Sequence, residues 1–165
     1  MENIAIVGVG QTVCARRREE TFEQLVFEAA TKALADAGAE IGDIDNVVTM
    51  SNDFWDGRTI SSMAIQEAAG GWHKDISTVE GDGAFGAFYG MMRILSGSFD
   101  TALVVGHIKG SEGVMNLITN AMFDPIYQRS LGIDATAAFM RSAPTLRASS
   151  WKYQTTEARI ALASV

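Results

Sequence analysis

Short strand-like segments alternate with helical segments over the first two thirds of the chain, and this alternation limits the fold most strongly. The strand-like runs lie at Ile4–Gly10, Asn46–Met50, Ile76–Glu80 and Thr101–His107. Continuous apolar runs such as Ile4–Gly10 are typical of strands that are buried on both faces of a sheet. Because helical patterns separate the runs, the sequence predicts an α/β domain with a largely parallel sheet.

The clearest helical pattern spans Thr21–Ala37, where apolar residues recur at steps of three and four and so share one face. Thr21 and Gln24 form a capping box, and Gly38 supplies the C-terminal stop. A shorter helix is predicted at Ser61–Ala69. These signals place helices between the predicted strands, as the α/β class requires.

A third predicted helix, Ala84–Ser96, is apolar on nearly all sides apart from Arg93. Helices of this kind belong in the interior of an assembly that is larger than this chain can build. The turn before it reads Gly81-Asp82-Gly83 and contains no Cys, Ser or His. Its backbone N–H groups and the helix dipole favour an anion or an oxyanion. Alternatively, Asp82 is a simple N-cap and the glycines, with Gly86, allow close packing.

Residues 111–165 differ from the rest, because they are richer in Met, Ser, Thr and Ala and contain both prolines. We therefore predict an α/β core at 1–110 and a helical and looped excursion at 111–165, without a buried strand. The closing stretch TTEARIALASV predicts a helix that begins at Thr155 or Thr156. Its apolar face leads us to expect that the chain continues or that a second polypeptide covers it.

Charge and apolar content exclude several classes of partner. A net charge of −7 and a pI near 4.7 argue against nucleic acid. The basic run Arg16–Arg18 is followed by Glu19 and Glu20, which favours a solvated loop over a phosphate-binding patch. No apolar run reaches the roughly 18 residues of a membrane helix, and no signal peptide is predicted.

Cysteine and histidine are scarce. The single Cys14 excludes an intrachain disulfide, predicts a reducing cytoplasm, and is expected to be an ordinary buried or semi-buried thiol. His73 and His107 lack metal-binding spacing, so no metal site is predicted. We favour structural roles for both, although His107 ends a predicted strand, where ligand crevices form. The loop residues Trp55, Asp56 and Arg58 are candidates for a substrate or subunit surface.

Four segments occur in an order that resembles the N-terminal half of the thiolase superfamily, particularly its lipid-transfer-protein-like branch. They are IAIVGVGQT, TFEQLVFEAATKALADAGAEIGDIDNVV, GDGAFGAFYGMMRILSGSFDTALVVGHIKGSE and YQTTEARIALASV, which together span nearly the whole chain. The resemblance implies a mostly parallel mixed sheet with helices on both faces. It further implies two similar α/β halves in five layers and a dimer that acts on acyl-CoA thioesters.

The resemblance also places a site. In such enzymes a nucleophilic cysteine precedes the buried helix, whose N-terminus favours the thiolate. GAFG replaces that pattern here, so Gly83 occupies the nucleophile's position. The histidine and second cysteine of a thiolase come from a C-terminal half, to which no segment of these residues corresponds. The predicted site has Asp82 as the catalytic residue and Gly81, Gly83, Ala84, Gly86 and His107 as substrate-binding residues.

Three functions stay open from the sequence. The first is a thiolase-like subunit of lipid metabolism that makes or breaks C–C bonds in acyl-CoA thioesters by a cysteine-independent retro-aldol reaction. A variant of this function is thiolysis by a nucleophile that another part of the assembly supplies. The second is a non-catalytic acyl-CoA-binding or structural partner subunit, and the third an unrelated α/β binding domain. Coenzyme A enters as the thioester substrate, and no covalently bound cofactor is expected. Some relatives work with a small zinc-containing OB-fold protein, which is therefore a candidate partner.

Overall fold

One five-stranded sheet organises the chain, with the strand order β1-β5-β4-β2-β3. The computed structural model describes residues 4–15, 19–53, 61–81, 83–109, 114–121, 123–132 and 159–164. The strands are β1 (Ala5–Gln11), β2 (Asn46–Ser51), β3 (Asp75–Glu80), β4 (Thr101–Gly106) and β5 (Arg159–Ser164). The helices are α1 (Phe22–Ala37), α2 (Ser61–Ile65), α3 (Gly83–Leu95) and α4 (Met115–Ala121), with 3-10 turns at Ile41–Asp43 and Arg129–Leu131.

The sheet is mixed but mostly parallel, as the sequence predicts. β2 pairs in parallel with β3 and β4. β5 is antiparallel to both of its neighbours, β1 and β4, so the other four strands run in one direction. Helices cover both faces, α1 on one and α3 on the other. The α/β class and the helices on both faces are therefore confirmed.

The C-terminal stretch does not have the helix that we predicted. Arg159–Ser164 forms β5, which lies between β1 and β4 inside the sheet. The short apolar run Ile160–Ala163 fits a strand as well as a helix, and long-range pairing on both sides decides the outcome. The expectation that 111–165 holds no buried strand is wrong for this segment. The division at Gly110 into a core and an excursion stays a prediction.

β1 is not buried on both faces, which corrects a second expectation. It lies at the edge of the sheet, and Ile6 and Val9 are more than half exposed. Its buried face carries Gly8 and Gly10, where a Cβ would lie 2.5 Å from the Ala33 oxygen and 2.3 Å from the Ala29 oxygen. The two glycines therefore let the α1 backbone approach β1 closely.

α1 matches its predicted signals. Thr21 and Gln24 exchange both capping-box hydrogen bonds, at 2.8 and 3.3 Å, and Gly38 adopts a left-handed conformation with φ of 66°. The buried face of α1 packs on Leu103, Val105 and other members of the core. The helix predicted at Ser61–Ala69 is shorter than expected, because α2 ends at Ile65 and a turn follows.

α3 lies on the opposite face of the sheet and is buried on one side. Its buried residues are Gly86, Gly90 and Ile94. A Cβ at Gly86 would lie 2.6 Å from Met50 Sδ, and one at Gly90 would lie 2.6 Å from Val104 Cγ2. α3 therefore rests close on β2 and β4 through its glycines. Within this chain the helix is not enclosed on all sides.

Candidate functional site

The turn between β3 and α3 stands at the edge of the sheet where β2, β3 and β4 end. Gly81 has a φ of +147°, which L residues rarely adopt, and its N–H donates to the Ser51 carbonyl at 3.0 Å. This bond ties the turn to the end of β2. Asp82, the predicted catalytic residue, lies outside the described residues, so its role stays a prediction.

Gly83 and Ala84 open the first turn of α3 and are exposed. Among the described residues, no heavy atom outside its chain neighbours and its own helix backbone lies within 4 Å of the position that a Cβ at Gly83 would occupy. The backbone N–H groups of a first helical turn point towards the helix N-terminus, where the helix dipole adds partial positive charge. An open position beside such donors can hold a small acceptor, for example a carbonyl or enolate oxygen.

Gly86 is placed differently from Gly83, although both belong to the predicted site. It faces the sheet, where Met50 Sδ and Val104 Cγ1 would lie 2.6 and 3.2 Å from a Cβ. This is the close-packing role that we considered as the alternative for the glycines. A substrate contact at Gly86 stays a prediction.

The structure places His107 on the other face of the sheet from α3. The imidazole is 6% exposed and packs edge-on against Phe22 of α1, with ring centroids 5.3 Å apart. Alternation along β4 explains this position, because Leu103 and Val105 also face α1. His107 does end β4 at the expected edge, and its N–H donates to the Met50 carbonyl at 3.0 Å. The sheet nevertheless separates its side chain from the glycine turn.

Cys14 is exposed, so the expectation of a buried or semi-buried thiol is wrong. Its sulfur accepts a hydrogen bond from Gln11 Nε2 at 3.4 Å. It follows β1, three strands away from β2 in the sheet order, which corresponds to about 14 Å. The thiol therefore lies away from Gly83 and the turn before α3.

The remaining sequence candidates lie away from the turn or outside the described residues. His73 has a φ of 57° and precedes β3, at the opposite edge of the sheet from Gly81. Trp55, Asp56 and Arg58 are not among the described residues. Within the described ranges no cluster of His, Cys, Asp or Glu could hold a metal ion, and no helix has the length and apolarity to span a membrane.

Sequence reasoning did not single out Asp53 as a candidate. It lies two residues beyond Ser51, whose carbonyl holds the Gly81 N–H, and it is half-buried. A signal was present, because S-N-D follows a strand at the ligand-binding edge of a parallel sheet. Asp53 is therefore an additional acid–base candidate near the turn. Glu80, the last residue of β3, is not, because it pairs in register with Ser51 and so faces the side of the sheet that α1 covers.

The outer face of α3 is apolar and exposed. Phe85, Phe88, Met92 and Leu95 are 63, 57, 50 and 48% exposed. Their spacing of three, four and three residues forms one stripe along the helix. Val9 lies on the same side of the sheet, because Gly8 and Gly10 face α1. We call these five side chains the α3 surface.

Comparisons with known proteins agree with this architecture. The chain is similar to the 3-oxoacyl-[acyl-carrier-protein] synthase III of Aquifex aeolicus, with a TM-score of 0.62, 11% identity, and coverage of 99% of this chain and 54% of that one. It is similar to Xanthomonas campestris OleA, solved with lauric acid and lauroyl-CoA, with a TM-score of 0.61, 15% identity, and coverage of 99 and 57%. For the Ltp2-ChsH2(DUF35) aldolase the values are 0.61, 17%, 98% and 56%. The fold is therefore thiolase-like.

Sequence similarity is more limited. The acetyl-CoA acetyltransferase of Methanocaldococcus jannaschii is 33% identical over 111 residues, which are 64% of this chain and 28% of that enzyme. No protein-family model matches the sequence. The chain spans about half the length of the solved structures that it resembles, and about a quarter of the acetyltransferase.

Proposed function

We propose that the chain is a thiolase-like subunit that acts on acyl-CoA thioesters and cleaves or forms C–C bonds by a retro-aldol type reaction without a cysteine nucleophile. The observation that carries the proposal is the open position beside Gly83 in the exposed first turn of α3. The acyl-thioester and aldolase names of the similar structures support the substrate class and the reaction.

The chemistry needs a base and an acceptor for negative charge, but no acyl-enzyme. The base removes the proton of the β-hydroxyl group. The bond between the α- and β-carbons then breaks, the β-carbon leaves as an aldehyde or ketone, and the electron pair forms the thioester enolate. The N–H groups near Gly83 stabilise the enolate oxygen, and a proton added at the α-carbon completes a shortened acyl-CoA.

Asp82 and Asp53 are the proposed candidates for the acid–base or orienting role. Asp82 lies in the turn by sequence, and Asp53 follows the strand to which the turn is tied. Glu80 offers a matched control, because its register places it on the α1 side. Asp82→Asn or Asp53→Asn should lower turnover at least tenfold, whereas Glu80→Gln should not. Equal effects of all three substitutions would argue against this assignment.

We further propose that a second α/β half, on the same or another polypeptide, covers the α3 surface. Phe85, Phe88, Met92 and Leu95 form an exposed apolar stripe, and exposed apolar patches are typical of surfaces that bind another protein. This chain covers 54 and 57% of two similar structures, so nearly half of each lies outside the match. Phe88→Glu should abolish co-purification with that half, and Phe27→Glu on α1, where Phe27 is equally exposed, should not.

The alternative function is a non-catalytic acyl-CoA-binding or structural partner. The position of His107 favours this alternative. Its imidazole packs against Phe22 on the α1 side of the sheet, so the one described histidine at this edge does not reach the glycine turn. The name of the Ltp2-ChsH2(DUF35) aldolase joins two components, which supports a partner subunit, and a zinc-containing OB-fold protein stays our proposed candidate for it. A thiolase-type dimer and a cytoplasmic location are proposed on the same resemblance.

Turnover distinguishes the two functions. The protein, isolated with its partners, is incubated with a β-hydroxyacyl-CoA and, separately, with a β-ketoacyl-CoA. Release of an aldehyde or ketone without added coenzyme A supports the retro-aldol proposal. Products that require free coenzyme A indicate thiolysis instead. Binding of acyl-CoA without turnover in any combination supports the non-catalytic role.

A further inference from the structure

We propose that Arg93 and Asp75 are positioning residues, which fix α3 along the sheet and thereby place the glycine turn at its other end. The proposal rests on the proposed function only in treating that turn as the acyl-CoA site. It concerns the edge of the sheet opposite the turn, where β2 and β3 begin and α3 ends.

The glycine face of α3 explains why such a tie is needed. Gly86 and Gly90 bring the helix close to Met50 and Val104, but they offer no side chains that interlock with the strands. Ridges that fit into grooves normally fix how one element sits along another. Two of the three buried residues of α3 are glycines, and the third, Ile94, lies in the last turn. The middle of this face therefore resists sliding less than one with larger side chains, so contacts at the helix ends matter more.

A polar network joins the last turn of α3 to the sheet. Arg93 Nη2 forms an ion pair with Asp75 Oδ1, at the first residue of β3. Asn46 Nδ2, fully buried at the first residue of β2, donates to the Asp75 carbonyl at 3.0 Å and to Asp75 Oδ1 at 3.2 Å. The Arg93 guanidinium also stacks over the Phe99 ring at 4.4 Å. The network thus connects α3, β2, β3 and the loop after α3.

Because α3 is one rigid helix, the network at its last turn also fixes the position of its first turn. Residues 83 and 93 are about 15 Å apart along the helix axis, and the intervening backbone is one continuous helix. A shift at Arg93 therefore moves the first turn, and a displacement of about 1 Å in a reacting group is enough to affect catalysis. The Arg93 and Asp75 side chains are 25 and 50% exposed, so the pair is expected to contribute little to global stability.

Hydrogen exchange on the full chain tests the proposal independently of activity. The amides of Gly86–Tyr89 are compared in wild type, Arg93→Ala, Arg93→Lys and Asp75→Asn, with Glu28→Gln as the control. The control removes the ion pair between Glu28 and Lys32 on α1, far from α3. Arg93→Ala and Asp75→Asn should speed exchange of these amides about fivefold. Arg93→Lys should lie closer to wild type, and Glu28→Gln should not change them.

One exchange pattern would overturn the proposal. In it, exchange is faster only in the last turn of α3, and the Gly86–Tyr89 amides are unchanged in both Arg93→Ala and Asp75→Asn. Octanoyl-CoA binding gives the second measurement, and Arg93→Ala should weaken it about threefold to tenfold, with partial recovery in Arg93→Lys. If the wild-type protein with its partners does not bind octanoyl-CoA, the proposed function fails, while the exchange data still decide the role of Arg93.

Discussion

Alanine at Gly81 is expected to destabilise the fold, whereas alanine at Gly83, two residues later, is not. Gly81 has a φ of +147°, and a Cβ there would lie 3.2 Å from Phe85 Cδ2. Strained backbone of this kind costs about 1–3 kcal/mol. Alanine lowers the entropy of the unfolded chain, which offsets about 0.4–1 kcal/mol. With the middle of each range, the net loss for Gly81→Ala is about 1.3 kcal/mol.

Gly83→Ala is the matched control, because its Cβ position is open to the rest of the described chain. Its free energy of unfolding should stay within about 0.5 kcal/mol of wild type. Urea denaturation measures both values, and an unchanged slope shows that the same structure unfolds. Equal losses for the two variants, or a stable Gly81→Ala protein, would refute the geometry of the turn.

Three further results are expected. Gly10→Ala should lower the free energy of unfolding by about 1–3 kcal/mol, because its Cβ would meet backbone atoms of α1. Gly42→Ala is the control and should not lower it, because the Gly42 Cβ position is open to the rest of the described chain. Equal urea midpoints for the two variants would contradict the packing of α1 on β1. In a Cys14→Ser background, the Gly83→Cys variant should react with iodoacetamide faster than the wild-type protein does at Cys14, because a helix N-terminus favours the thiolate. A slower rate would argue against an open turn. Alkylation of the exposed Cys14 should go to completion without loss of any acyl-CoA activity, and strong inactivation would return Cys14 to the mechanism.

The fold was predictable where local signals agree. α1 carries a capping box, an apolar face and a glycine stop, and the structure has all three at the expected residues. β5 could not be predicted in the same way, because a six-residue run becomes a strand only through pairing with β1 and β4. The exposure of β1 was missed because an apolar run does not show which of its faces a helix covers.

The candidate site was predictable in part. The glycine turn before an apolar helix pointed to Gly81 and Gly83, and the structure gives both a place at the end of β3. The face on which His107 lies depends on the phase of β4 relative to α1, which one sequence does not fix. Asp53 was missed because its neighbourhood to the turn comes from the pairing of β2 with β3.

Photo-crosslinking tests the central claim most directly. A photoreactive acyl-CoA, with its reactive group on the acyl chain, is bound to the protein as isolated with its partners, and the labelled residues are mapped by mass spectrometry. Labels within the peptide that carries Gly81–Phe85, lost on competition with unlabelled acyl-CoA, are the predicted result. Competable labels confined to α1, with none at the start of α3, would contradict the account.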